Sequence, residues 1–143
     1  MIFGLMALIT AALFTGAAFY INWAEQPARL GLDDRALLAQ WKPSYARGFM
    51  MQASLAVIGF GLGLAAWYSS GNWLWMAGAL VLITNWPYTL LVIMPTNHEL
   101  NAIALEDAGQ KSRRLIESWG TLHAARTLMG TVSTLLFLAA SLR

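Results

Sequence analysis

Residues 2–23, 49–68 and 73–94 carry no charged side chain, and nothing else in the sequence restricts the fold as much. The first run alone, as a helix, covers about 33 Å, enough to cross the hydrocarbon of a bilayer. A fourth run, 127–142, is uncharged but short. A full crossing reaches back to Leu122 and takes His123 and Arg126 into the helix. A soluble domain of 143 residues with 58% hydrophobic and 11% charged side chains would be badly under-solvated. The sequence therefore predicts one all-α integral membrane domain over residues 1–143. Its form is an antiparallel up-down bundle of four transmembrane helices at about 2–23, 49–68, 73–94 and 122–142, with interfacial helical segments on the cytoplasmic side.

The first run reads as a retained helix rather than a signal peptide. No Lys or Arg precedes it, it is long, and no small-residue cleavage site follows. Ser69–Ser70–Gly71–Asn72 is a tight turn by composition, so the second and third runs form a hairpin. Two longer segments join the remaining spans. In 24–47, Asp33 or Asp34 is placed to cap a short helix through Trp41, and Pro43 suits the first turn of the second span. In 95–120, Thr96-x-x-Glu99 has the capping-box pattern, and Leu100, Ile103, Leu115, Ile116 and Trp119 suggest a partly amphipathic helix at the interface, broken near Gly109–Lys111.

Orientation follows from the Lys and Arg residues beside the spans. The two long segments hold seven of the nine, while the side with the termini and the tight turn holds only Arg143. The positive-inside rule puts both long segments in the cytoplasm and both termini outside. The expected location is a bacterial inner membrane. Nucleic acid is excluded as a partner, because the net charge is only +2 and no basic run is interleaved with aromatic residues. The absence of cysteine removes disulfides, thiolate nucleophiles and thiolate metal ligands.

Alternating helices bring the polar residues to one end. Asn22 and Glu25 close the first span, Tyr45 and Gln52 open the second, Asn85, Thr89, Thr96 and Asn97 close the third, and Trp119, His123 and Arg126 open the fourth. Trp119, His123, Arg126 and Gly130 share one helical face. Buried polar groups need partners, and Glu25 is the expected counter-ion for Arg126 or His123. Plainer readings stand beside these. Trp23, Trp73 and Trp75 suit an interfacial belt, and Arg126 suits snorkelling to headgroups. Asn85 suits the kink at Pro87, which frees the carbonyl of Ile83. Gly59-x-Gly61-x-Gly63 suits close helix packing, with dimerisation second. The two histidines, His98 and His123, have no metal-ligand spacing, so no metal is expected.

Pro95–Thr96–Asn97 followed by Leu100, the element Trp119-x-x-x-His123-x-x-Arg126 and the polar end near Asn22 resemble the small membrane proteins of unknown-function family 1772. That family includes the anthrone oxygenase-like proteins, and the resemblance covers most of the chain. It implies oxidation of polyketide anthrones to anthraquinones with oxygen and no cofactor. Such chemistry needs a base and groups that stabilise an oxygen anion, roles that fall to His123, Arg126 and Asn97. Asn22, Glu25, Trp41, Tyr45, Gln52, Asn85 and Trp119 are the expected substrate-binding residues. The expected function is a cofactor-independent oxygenase of a hydrophobic aromatic substrate, anthrone- or phenol-like. The alternatives are a non-enzymatic binding or accessory protein whose polar cup holds a lipid, quinone or partner helix, and, third, a transporter, which at four spans would have to oligomerise. The expected partners are a hydrophobic small molecule or lipid and the bilayer itself, with a homo-oligomer left open.

Overall fold

The computed structural model describes all residues from Met1 to Arg143 and contains no β-strand. Four helices are each long and apolar enough to cross a membrane: α1 (Ile2–Leu30), α2 (Asp34–Ser70), α3 (Trp73–Ala102) and α4 (Gln110–Ser141). They alternate in direction, with α1 and α3 each packed between α2 and α4. This is the expected up-down bundle.

The helices are longer than the charge-free runs, and the segments expected to lie separately at the interface are extensions of the spans. With 37 residues, α2 runs about 55 Å and leaves the apolar layer at one end. Asp33 caps it, accepting from the N–H groups of Arg35 and Ala36 at 3.1 and 3.0 Å. There is no separate short helix ending at Trp41, and Pro43 does not start a new one. It sits on an exposed face inside α2, where its missing N–H costs only the bond to the carbonyl of exposed Ala39. Thr96 and Glu99 form no capping box, because α3 is already under way from Trp73. The break in 95–120 covers residues 103–109, which hold one 3₁₀ turn, Leu105–Asp107. Leu115, Ile116 and Trp119 then belong to α4. The tight turn is as expected. Gly71 takes φ +70°, a left-handed conformation that suits glycine, and Asn72 caps α3 by accepting from the Leu74 N–H at 3.1 Å.

Two wide π-helical turns interrupt the ladders, at Ile21–Glu25 in α1 and Thr89–Ile93 in α3. Each ends two residues before a proline, Pro27 and Pro95. A proline supplies no N–H to the preceding turn, and a helix widened by one residue redistributes the carbonyls left over.

Two apolar clusters fill the bundle. One holds Ala7, Ala11, Phe14, Ala18, Ala56, Leu82 and Phe137, among others. The second, at the end with the longer connections, is built on Leu37, Leu38, Trp41, Ile93, Leu100, Ile116 and Trp119. Trp23 and Trp73 are exposed as belt residues should be, but Trp75 is buried, its ring 5.6 Å from that of Phe137. Gly4 makes room for it, since a Cβ there would lie 2.6 Å from the indole. Gly59 and Gly63 pack inside the chain, against Leu82 and against Ala79 and Phe137, while Gly61 faces open space. Close packing thus accounts for the glycine pair. We expect Gly63→Val to lower stability by about 1–3 kcal/mol through overpacking. Gly61→Ala should leave it unchanged or slightly raised, as read by thermal unfolding in detergent.

Candidate functional site

Every helix carries polar residues between its contributions to the two apolar clusters. These are Asn22 on α1, Gln52 on α2, Asn85 and Thr89 on α3, and His123 and Arg126 on α4. They form a polar layer, half-buried at Asn22 and buried elsewhere, where each group needs a partner or costs free energy.

His123 is the best-ordered member. Its Nδ1 lies 2.9 Å from Asn22 Oδ1, which also accepts from Thr127 Oγ1 at 2.8 Å. The amide of Asn22 donates through Nδ2 to the Gly120 carbonyl at 2.8 Å, which fixes its orientation. Its oxygen is therefore the atom facing His123, and a carbonyl oxygen only accepts. Nδ1 must carry the proton, so the neutral ring presents an unprotonated Nε2. The ring also stacks on Trp119, centroids 4.9 Å apart. Gly120 makes the approach of α1 possible, since a Cβ there would lie 2.7 Å from Gln26 Nε2.

His123 and Arg126 line a small cavity with Arg29, Tyr45, Phe49, Gln52, Thr89, Asn97 and Trp119. It offers about 20 Å³ to the centre of a water-sized molecule, room for one water. Arg126 is 6% exposed and joins none of the four ion pairs. Its Nε has no hydrogen-bond partner, and its guanidinium rests 5.5 Å from the Phe14 ring centroid. It does not snorkel. Asn97 Oδ1 accepts from Trp119 Nε1 at 2.9 Å, while Asn97 Nδ2 meets only the soft sulfur of Met94 at 3.9 Å.

Some expected site residues lie elsewhere. Glu25 is not the counter-ion of Arg126 or His123. It pairs with Arg29 at 2.6 Å, accepts from Ser44 and Gln40, and stays outside the cavity. Arg29 is one turn away on the same helix, so it captures the carboxylate first. Asn22 stands behind His123. Trp41 is fully buried behind the cavity wall, stacked on Tyr45 at 4.8 Å and edge-on to Trp119 at 5.9 Å. Asn85 opens on a neighbouring slot, and its Nδ2 donates to the Leu82 carbonyl at 3.0 Å rather than to that of Ile83. His98 is exposed, and nowhere do three His, Cys, Asp or Glu side chains gather as a metal site would require. Arg29 lines the cavity without being among the expected site residues. Its signal in the sequence is the three- and four-residue spacing of Asn22, Glu25 and Arg29, which puts them on one face only because α1 continues past Trp23.

A bundle of four membrane-length helices around a buried His–Arg layer defines the class. A family model described as anthrone oxygenase matches residues 41–136, more than half of the chain. An anthrone oxygenase of Claviceps purpurea (strain 20.1) is 30% identical over 139 residues, covering 87% of this chain and 79% of the relative. The chain belongs to the anthrone oxygenase family. No solved structure matches it.

The tautomer is directly testable. In ¹⁵N spectra of the imidazoles, His123 should show a protonated Nδ1 and a bare Nε2, with exposed His98 as internal reference. Asn22→Leu should return His123 to the Nε2–H form usual in water.

Proposed function

We propose that this chain is a membrane-embedded oxygenase of a hydrophobic aromatic substrate, anthrone- or phenol-like, with His123 as general base and no cofactor. The observation that carries the reading is a bare imidazole Nε2 beside a buried guanidinium that no carboxylate neutralises. Leaving a buried charge unpaired costs several kcal/mol, on the order of 3–5. An anion formed at this place would repay that cost.

The chemistry runs from these residues. Nε2 of His123 takes a proton from the carbon opposite the substrate carbonyl, and the electron pair flows to the carbonyl oxygen. Arg126 and the free amide N–H of Asn97 stabilise that oxygen as its charge grows. The electron-rich anion reduces dioxygen and a C–O bond forms. His123 gives its proton to the outer peroxide oxygen, takes the second proton from the same carbon as the C=O forms and the O–O bond breaks, and passes it to the departing hydroxide, so that water is released. In sum, a CH₂ group and O₂ become a C=O group and H₂O. The indole of Trp119 and the phenol of Tyr45, backed by Trp41, offer flat faces to an aromatic body.

A second reading is a binding or accessory protein. The small cavity and the engagement of Glu25 by Arg29 and Ser44 favour it. Turnover separates the two. We expect His123→Gln, which keeps size and hydrogen bonding, to lower oxygen consumption with anthrones or related phenols by about 10²–10⁴-fold. Stability in detergent should stay nearly unchanged, and chelators should not affect the wild-type rate. Wild-type protein inert on the whole panel would favour the binding reading. An active His123→Gln variant would remove His123 as the base.

We place the polar end in the cytoplasm and both termini outside, on the Lys and Arg asymmetry. Reporter fusions after Leu32 and Asp107 should report inside, and fusions after Gly71 and Arg143 outside.

A further inference from the structure

The cavity beside His123 is one of three that follow one another between α2 and α3. Phe49, Thr89 and Arg126 form the wall it shares with a slot lined also by Ala53, Asn85 and Trp86. Phe49, Ala53 and Trp86 in turn border an open groove on the outer, apolar face of the bundle, completed by Met50, Val57 and Ile58. Only side chains separate the three spaces. Phe49 touches all of them and is half-buried, with its ring tilted 6.0 Å from Tyr45. Trp86 spans the slot by donating from Nε1 to the Ala53 carbonyl at 3.2 Å.

The inner end of the slot, together with Gln52 in the cavity behind it, is unusual for a helix interface. Gln52 Nε2, Thr89 Oγ1, Asn85 Oδ1 and Arg126 Nε are buried, and none has a hydrogen-bond partner. All four residues are more than nine-tenths buried. A fold gains nothing from such groups, because an apolar side chain of similar shape would be neutral or better. Two of the atoms only donate, one only accepts, and the threonine hydroxyl does either. A matching ligand offers an acceptor oxygen beside a hydroxyl donor, and the apolar slot walls require a flat hydrophobic body behind them.

We propose that the α2–α3 slot is a binding site and side entrance, reached from the bilayer past Phe49, for flat hydrophobic molecules bearing adjacent keto and hydroxyl oxygens. Asn85 and Thr89 in the slot and Gln52 in the cavity behind it read that oxygen pattern, and Arg126, which lines both spaces, passes the keto oxygen on towards His123. This deepens the oxygenase reading and rests on it only for what happens after binding.

The chain has no cysteine, so Ala53→Cys in otherwise intact protein provides a single reporter in the slot, with Ser141→Cys at the far end as control. In bicelles, 1,8-dihydroxyanthraquinone at ten times its Kd should slow alkylation of Ala53→Cys about tenfold. It should leave Ser141→Cys unaffected, and oxygen-free anthracene should protect neither. Adding Thr89→Val or Gln52→Met should weaken protection about tenfold each, the value of one hydrogen bond to a buried group. The melting temperature should hold or rise, which a merely structural role would not allow. Absent protection, equal protection by anthracene, or Thr89→Val and Gln52→Met variants that melt lower yet bind unchanged would each overturn the proposal. His123→Gln separates the two ideas. Protection without turnover in any form of the protein defeats the oxygenase reading and leaves the site standing, whereas turnover without protection does the reverse.

Discussion

A guanidinium in the middle of a helical bundle has to be neutralised, hydrated or used. Arg126 has no carboxylate within reach, and the one acid near the polar layer, Glu25, is held by Arg29 and Ser44. Much of the interior is arranged around that fact. The Phe14 ring lies beneath the cation, the polar layer surrounds it, and the two apolar clusters hold it away from both ends of the bundle. The hydrogen bond from His123 Nδ1 to the Asn22 oxygen ties the imidazole to α1, one helical turn from the guanidinium.

The same layer costs the bundle stability. Ala, Gly and Phe pack the first cluster tightly, down to glycines that admit no Cβ. Polar atoms without partners then follow in the next turns of three helices. A core made for stability alone would not change character so abruptly.

The sequence revealed the number of helices, their alternation, the tight turn and the gathering of polar residues at one end. Charge-free runs and helical spacing are local properties, and each run forms its helix whatever its neighbours do. The helix ends were less legible, because Asn22, Glu25 and Arg29 are polar without being helix breakers and α1 simply continues. Pairings were least legible. Glu25 meets a cation one turn along its own helix rather than a partner across the bundle, and Trp41 gives its face to Tyr45, four residues on, rather than to open space. The Asn22–His123 bond joins residues 101 apart in sequence, and only the approach permitted at Gly120 brings them together.

The two π-turns have a consequence for how such chains diversify. Each is a surplus residue carried inside a helix, just before a proline. Deleting it would leave an ordinary α-helix of nearly the same length with everything beyond it facing as before, because five residues in a widened turn sweep about the same angle as four in an α-helix. A one-residue deletion anywhere else in either helix would turn all that follows by about 100° around the axis, carrying Arg29 in α1 or Asn97 in α3 away from the interior. The turns before Pro27 and Pro95 are therefore the places where these spans can gain or lose a residue and still present the same side chains to the interior.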